Sequence, residues 1–133
     1  MSVALDSSFL IDLIRGTAPA VEKLKQLESS RETLSIPTPA IYEVLAGTLV
    51  HKGRSTTRYL EGLLSRFPAL PLDRESAHRA AEVRAELVGL GRDKPHVDIL
   101  IAAIALRNSM TLLTRDEDFR DIARATGLDV QLY

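Results

Sequence analysis

Ser2-Val3-Ala4-Leu5-Asp6-Ser7-Ser8 reads as a short apolar strand that ends on an acid and passes at once into the start of a helix. Val3-Ala4-Leu5 is the strand, Ser7 or Ser8 supplies the N-cap, and the helix reaches about Ile14 before Gly16 breaks it. The unit recurs outward along the chain. Thr33 to Ile36, Ala69 to Leu72, Thr111 to Thr114 and Leu128 to Leu132 are further short apolar runs, and helical patterns fill the intervals. Strands alternating with helices from end to end predict an α/β fold, three-layer α/β/α, with a largely parallel central sheet of about five strands.

The intervals support this reading. A helix from about Ala18 to Glu28 has Pro19 near its start and places Ala20, Val21, Leu24 and Leu27 on one face. In Pro37-Thr38-Pro39, Thr38 can cap and Pro39 can take the first position of a helix running to about His51. The helix after Gly53 carries Tyr59, Leu60, Leu63, Leu64 and Phe67 as an amphipathic face, either core or a contact for a protein partner. Pro71 has no N–H for a ladder, so the third strand belongs at a sheet edge. Asp73 caps a long helix to about Leu90, and a polar, glycine-punctuated connection leads to a helix from near His96 to near Asn108. That helix is apolar almost all round and should be deeply packed. A last helix spans about Glu117 to Ala125, ended by Gly127.

With 133 residues, 45% of them hydrophobic, the chain is expected to form one domain over 1–133 with a core of its own. It has no cysteine, which excludes disulfides, thiolate nucleophiles and cysteine-held zinc, and fits a cytoplasmic setting. No secretory signal is visible, and the apolar run Ile99 to Leu106 is far short of the roughly 20 residues that span a bilayer, so no membrane association is expected. Seventeen basic against 18 acidic residues give a net charge of −1, so any nucleic-acid contact must be a local patch. Arg15, Lys52, Arg54, Arg58, Arg92, Lys94 and Arg115 are its possible contributors.

Four acids stand out. Asp6 and Asp116 each close an apolar run at the carboxyl end of a predicted strand, where open parallel sheets bind ligands. Glu43 and Asp98 interrupt apolar helical patterns. Each has an ordinary alternative: Asp6 and Asp116 suit helix caps, Asp98 suits the first turn of its helix, and Glu43 an exposed face. Gathered together they demand compensation, because two unit charges about 4 Å apart interact by roughly 4 kcal/mol at an effective dielectric near 20. A divalent cation is the natural compensator, and oxygen-only ligands suit magnesium or manganese. His51, His78 and His96 lack paired ligand spacing. Ala40 and Gly47 flank Glu43 on its helix, and Ala102 and Ala105 follow Asp98, small residues that either leave room for a metal and its waters or permit close helix packing.

Leu5-Asp6-Ser7-Ser8, Glu43 in its helix, Val97-Asp98-Ile99-Leu100-Ile101-Ala102-Ala103 and Leu113-Thr114-Arg115-Asp116-Glu117-Asp118-Phe119 together resemble the PIN domain, specifically the VapC-type toxins of toxin–antitoxin pairs, over essentially the whole chain. The resemblance implies strand order 3-2-1-4-5 and a metal-dependent endoribonuclease acting on a structured RNA such as tRNA. It implies Asp6, Glu43, Asp98 and Asp116 as the acidic quartet, with Ser7, Thr114 and Arg115 beside it as substrate-positioning groups. Asp118, two residues from Asp116, could share or replace its role. A small cognate antitoxin and a homodimer are the implied protein partners.

Two other classes compete. A phosphorelay receiver is also a five-stranded α/β unit with an acidic magnesium pocket, and Asp73 follows the third strand where a phospho-acceptor would sit. Against it, the first strand ends in one acid rather than a pair, and no lysine follows the last strand. A PIN fold that binds without catalysis is the other.

Overall fold

The computed structural model describes residues 2–133. Five strands form a sheet in the order β3-β2-β1-β4-β5: β1 (Ser2–Leu5), β2 (Thr33–Pro37), β3 (Ala69–Leu70), β4 (Thr111–Thr114) and β5 (Val130–Leu132). Every pairing is parallel. Helices α1 (Ser7–Arg15), α2 (Ala18–Ser29), α3 (Thr38–His51), α4 (Arg54–Leu64), α5 (Arg74–Gly89), α6 (His96–Arg107) and α7 (Phe119–Thr126) make the outer layers of the three-layer α/β/α arrangement.

The core lies where the apolar runs meet the helices. Val3, Ala4 and Leu5 of β1 and Leu112 and Leu113 of β4 are buried, as a strand covered on both faces requires. Packed against them are Phe9 and Leu10 of α1, Ile101 and Ala103 of α6, and Phe119 and Ile122 of α7. Helix α6 is as deeply packed as its all-round apolar pattern predicts. Strand β3 does lie at the sheet edge, but it is only two residues long, and Pro71 and Leu72 fall outside it.

Several boundaries differ from the sequence reading for identifiable reasons. Helix α1 is capped by Asp6, whose side chain accepts from the Ser8 N–H, rather than by Ser7 or Ser8, and it runs to Arg15 before Gly16 turns left-handed at φ 71°. Helix α3 takes Pro37 as its N-cap, so Thr38 and Pro39 both lie inside its first turn. Helix α7 begins at Phe119, not Glu117, because the Asp116 side chain accepts from the Asp118 N–H and holds the preceding residues in a turn. On α4 the expected single face divides: Leu60 and Leu64 are buried, whereas Tyr59 is 68% exposed.

Candidate metal centre

Register places the first two groups. Because Leu5 of β1 pairs with Leu113 of β4, the next residues, Asp6 and Thr114, emerge side by side at the carboxyl end of the sheet, and the Asp6 N–H still bonds Leu113 O at 3.0 Å. The strand order reverses between β1 and β4, so this pair sits at the topological switch point, where parallel sheets open a crevice.

The carboxylate of Asp6 is tightly specified. Its Oδ2 accepts from Thr114 Oγ1 at 2.6 Å, Ser8 Oγ at 2.8 Å and the Ser8 N–H at 3.4 Å. Each hydroxyl has one proton to give, so the 3.1 Å approach of Ser8 Oγ to Thr114 Oγ1 follows from their sharing one acceptor. Both hydroxyls accept in turn from the next loop: Ser8 Oγ from the Arg115 N–H at 3.1 Å and Thr114 Oγ1 from the Asp116 N–H at 3.0 Å. Two backbone amides of the loop after β4 are thereby tied through hydroxyls to one oxygen of Asp6. Among the described residues Oδ1 keeps a single long contact, Ser7 Oγ at 3.5 Å.

Helices bring the other acids. Glu43, in the middle of α3, receives Ser7 Oγ on its Oε1 at 2.6 Å, which joins α3 to the start of α1. Asp98, in the first turn of α6, is buried, and it shares a group of carboxylate oxygens within 4.8 Å of one another with Asp116 and Asp118. A helix N-terminus favours a negative charge. Here burial, followed by the charges of Asp6, Asp116, Glu43 and Asp118, overrides it and raises the Asp98 carboxyl to about 7.

Asp6, Glu43, Asp116 and Asp118 thus all act electrostatically on Asp98, and of these Asp116 and Asp118 share its group of close oxygens. Asp118 is half exposed, with Oδ1 3.6 Å from Lys94 Nζ, while Lys94 is held more closely by Asp121 at 2.8 Å. Hydrogen bonding to Asp121 is the main reason the Lys94 ammonium lies above its usual range. Oxygen-only donors crowded enough to raise the Asp98 carboxyl fit a hard divalent cation.

Three further sequence readings meet the structure here, and for Asp73 it keeps the helix cap rather than the receiver-type alternative. Ala102 and Ala105 are fully buried, so the small residues after Asp98 serve helix packing; Ala40 beside Glu43 is buried as well, and only Gly47 opens onto free space. Arg115 directs its guanidinium at Asp12, with Nε to Oδ2 at 2.7 Å and Nη2 to Oδ1 at 3.2 Å. Asp73, the receiver-type candidate, caps α5 by accepting from the Ser76 N–H at 2.8 Å. Ser8 and Asp12 were missed. The available signal was that Asp12 interrupts Leu10-Ile11-Asp12-Leu13-Ile14 as Glu43 interrupts its own helix, four residues after Ser8 on the same face.

Comparison with known proteins agrees with this architecture. The family model described as PIN domain matches residues 3–125. VapC ribonuclease Mb1587 of Mycobacterium bovis and Ribonuclease VapC11 of Mycobacterium tuberculosis are each 32% identical over 140 residues, covering 98% of this chain and 98% of their own. The crystal structure of VapBC2 from Rickettsia felis bound to a DNA fragment from its promoter superposes with a TM-score of 0.87 at 21% identity, covering 100% of this chain and 99% of that one. With the acids assembled at the switch point of a 3-2-1-4-5 parallel sheet, the chain belongs to the PIN domain family, in its VapC group.

Proposed function

We propose that the chain is a magnesium- or manganese-dependent endoribonuclease, the toxin of a toxin–antitoxin pair, which hydrolyses phosphodiester bonds in a structured RNA such as tRNA. The observation that carries it is Asp98: a carboxyl raised to about 7 by burial and then by the charges of Asp6, Asp116, Glu43 and Asp118 has no structural purpose served by that charge density, but it becomes a ligand once a cation is present. The names of the VapC relatives support the activity.

Asp98 and Asp116 would hold the ion, with Asp6 and Asp118 as further oxygen donors and Glu43 direct or through water. When bound, such an ion supplies Lewis-acid polarisation of a phosphoryl oxygen and eases deprotonation of water near neutral pH. The protein's own groups do the rest. Ser7 fixes Oε1 of Glu43, so the carboxylate is presented in one orientation to receive a proton from the attacking water. Thr114 and Ser8 keep Oδ2 of Asp6 committed. Attack by water leaves a 5′-phosphate and a 3′-hydroxyl.

The partners follow at the same level. An apolar groove of about 380 Å³ between α1, α2 and α4, lined by Leu13, Ile14, Leu24, Leu63 and Phe67 among others, suits an antitoxin segment, and the VapBC complexes among the structural neighbours support a cognate antitoxin. We read the toxin as a cytoplasmic, single-domain homodimer. Among the described residues no helix is long and apolar enough to cross a membrane. The receiver alternative is weakened by the strand order, since receivers use 2-1-3-4-5.

The test is incubation of purified protein with structured RNAs and magnesium or manganese, beside Asp98→Asn and a chelator control. Metal-dependent cutting lost in the variant is the expected result. Equal cutting by both proteins would indicate contamination and sink the assignment, and metal binding without cutting would favour a silent binding module.

A further inference from the structure

The acidic centre leaves one buried acid unexplained. Asp12 lies one helical turn beyond Ser8 on α1, only 10% of its side chain is exposed, and its carboxylate bonds Arg115 and Tyr133 rather than joining the oxygens grouped around Asp98. Both carboxylate oxygens are engaged: the Arg115 fork takes Oδ1 and Oδ2, and Tyr133 Oη donates to Oδ2 at 2.6 Å. Burial alone would raise this carboxyl, but the Tyr133 hydroxyl and the Arg115 guanidinium outweigh it and hold it below its usual value. The Tyr133 ring is fixed in turn, edge-on to Phe9 with centroids 5.2 Å apart.

Arg115 is therefore gripped twice by one face of α1, its backbone N–H by Ser8 Oγ and its guanidinium by Asp12. The residue so held immediately precedes Asp116, whose N–H goes to Thr114 Oγ1 and whose carboxylate receives the Asp118 N–H. We propose that Asp12, Arg115 and Tyr133 form a clamp that positions the loop carrying Asp116 and Asp118, making Arg115 a tether for the metal ligands rather than a contact for RNA phosphate. This inference rests on the nuclease reading of the centre. The fork explains the residue choice, since a planar guanidinium matches a carboxylate at two points and an ammonium does not.

Electrostatics and positioning predict opposite signs here, which makes the clamp testable without an activity assay. Removing a cation from beside an acidic site should strengthen divalent binding; releasing the loop should weaken it. Calorimetric titration of manganese into the whole chain is the measurement. Arg115→Met and Asp12→Asn are expected to weaken binding by about 10-fold, the usual scale for groups that orient metal ligands. Arg115→Lys should fail to restore it. Leu27→Ala, a core truncation on α2, and Arg79→Met, which breaks a pair confined to α5, should keep the affinity of the unmodified chain while the first lowers thermal stability. If a clamp variant fails to fold, Tyr133→Phe carries the test through loss of one hydroxyl, with a weakening of about 3-fold expected and unchanged affinity counting against the clamp. Unchanged or tighter binding by Arg115→Met, or a loss in Leu27→Ala as large as in the clamp variants, overturns the clamp and leaves the nuclease reading standing. Absence of manganese binding by the unmodified chain removes both.

Discussion

Ser7 Oγ donates to Glu43 Oε1 at 2.6 Å, across 36 residues of sequence and between two helices that meet above the carboxyl end of the sheet. With Ser7 only 8% exposed, water cannot easily replace the hydroxyl, and Glu43 would lose its orientation with it. Ser7→Ala is expected to lower the single-turnover rate of RNA cleavage about 10-fold, with a stability change of about 1 kcal/mol or less. A single-turnover rate equal to that of the unmodified chain would falsify the orienting role.

Asp98 sets the pH dependence. Its carboxyl lies at about 7 in the folded, metal-free protein against 3.8 as the ordinary value, so between those limits the native state retains a proton that the unfolded chain has released. Stability of the metal-free protein therefore falls as pH rises through that window, and is lowest above it. Divalent binding must displace the same proton, so affinity rises with pH toward about 7 and then levels off. Asp98→Asn removes both dependences: at pH 8 and without metal it should melt about 5 °C or more above the unmodified chain, while binding no manganese. Thermal melts across pH 4–8 with and without manganese check this; a lower melting temperature for Asp98→Asn at pH 8 contradicts the account.

The fold was legible where local pattern and tertiary role coincide. Val3-Ala4-Leu5 and Leu112-Leu113 are apolar because both sheet faces are covered, and an acid at the end of such a run, or inside an apolar helix such as α6, is conspicuous for the same reason. Asp6, Glu43, Asp98 and Asp116 could be picked out on that ground. Asp12 offers the same signal inside Leu10-Ile11-Asp12-Leu13-Ile14, but neither its role nor that of Ser8 could be read, because both come from partners more than 100 residues away. The relation of Asp116 to Asp118 was equally hidden, since it depends on a turn in which one residue's backbone bonds the other's side chain.

That turn gives the two acids unequal weight. Asp116 is partly buried and structures the loop by accepting the Asp118 N–H at 2.9 Å, whereas the Asp118 side chain is 55% exposed and shares its charge with Lys94. Asp116→Asn should cost about 100-fold in cleavage and Asp118→Asn about 10-fold, on the scale of losing a ligand against losing an outer partner. Comparing kcat/KM for both variants at saturating magnesium decides the order, and a larger loss in Asp118→Asn would make Asp118 the principal ligand of the pair.

Lys94 supplies the contrasting case to Arg115. Both cations flank the loop after β4, but Arg115 neutralises Asp12, which lies outside the cluster, while Lys94 lies 3.6 Å from Asp118, which lies within it. Lys94 thus competes with a divalent ion for the same carboxylate, although its closer bond to Asp121 at 2.8 Å keeps it from occupying the centre. Lys94→Gln should free Asp118 and tighten manganese binding by about 2- to 5-fold, the range for a solvent-screened ion pair, where Arg115→Met loosens it. The gain should shrink as salt is raised, because the Asp118 side of the pair is largely open to solvent. Titrations of the two variants at low and high ionic strength test the contrast directly: weaker binding in Lys94→Gln would mean that the lysine supports the acidic loop instead of competing with its ion.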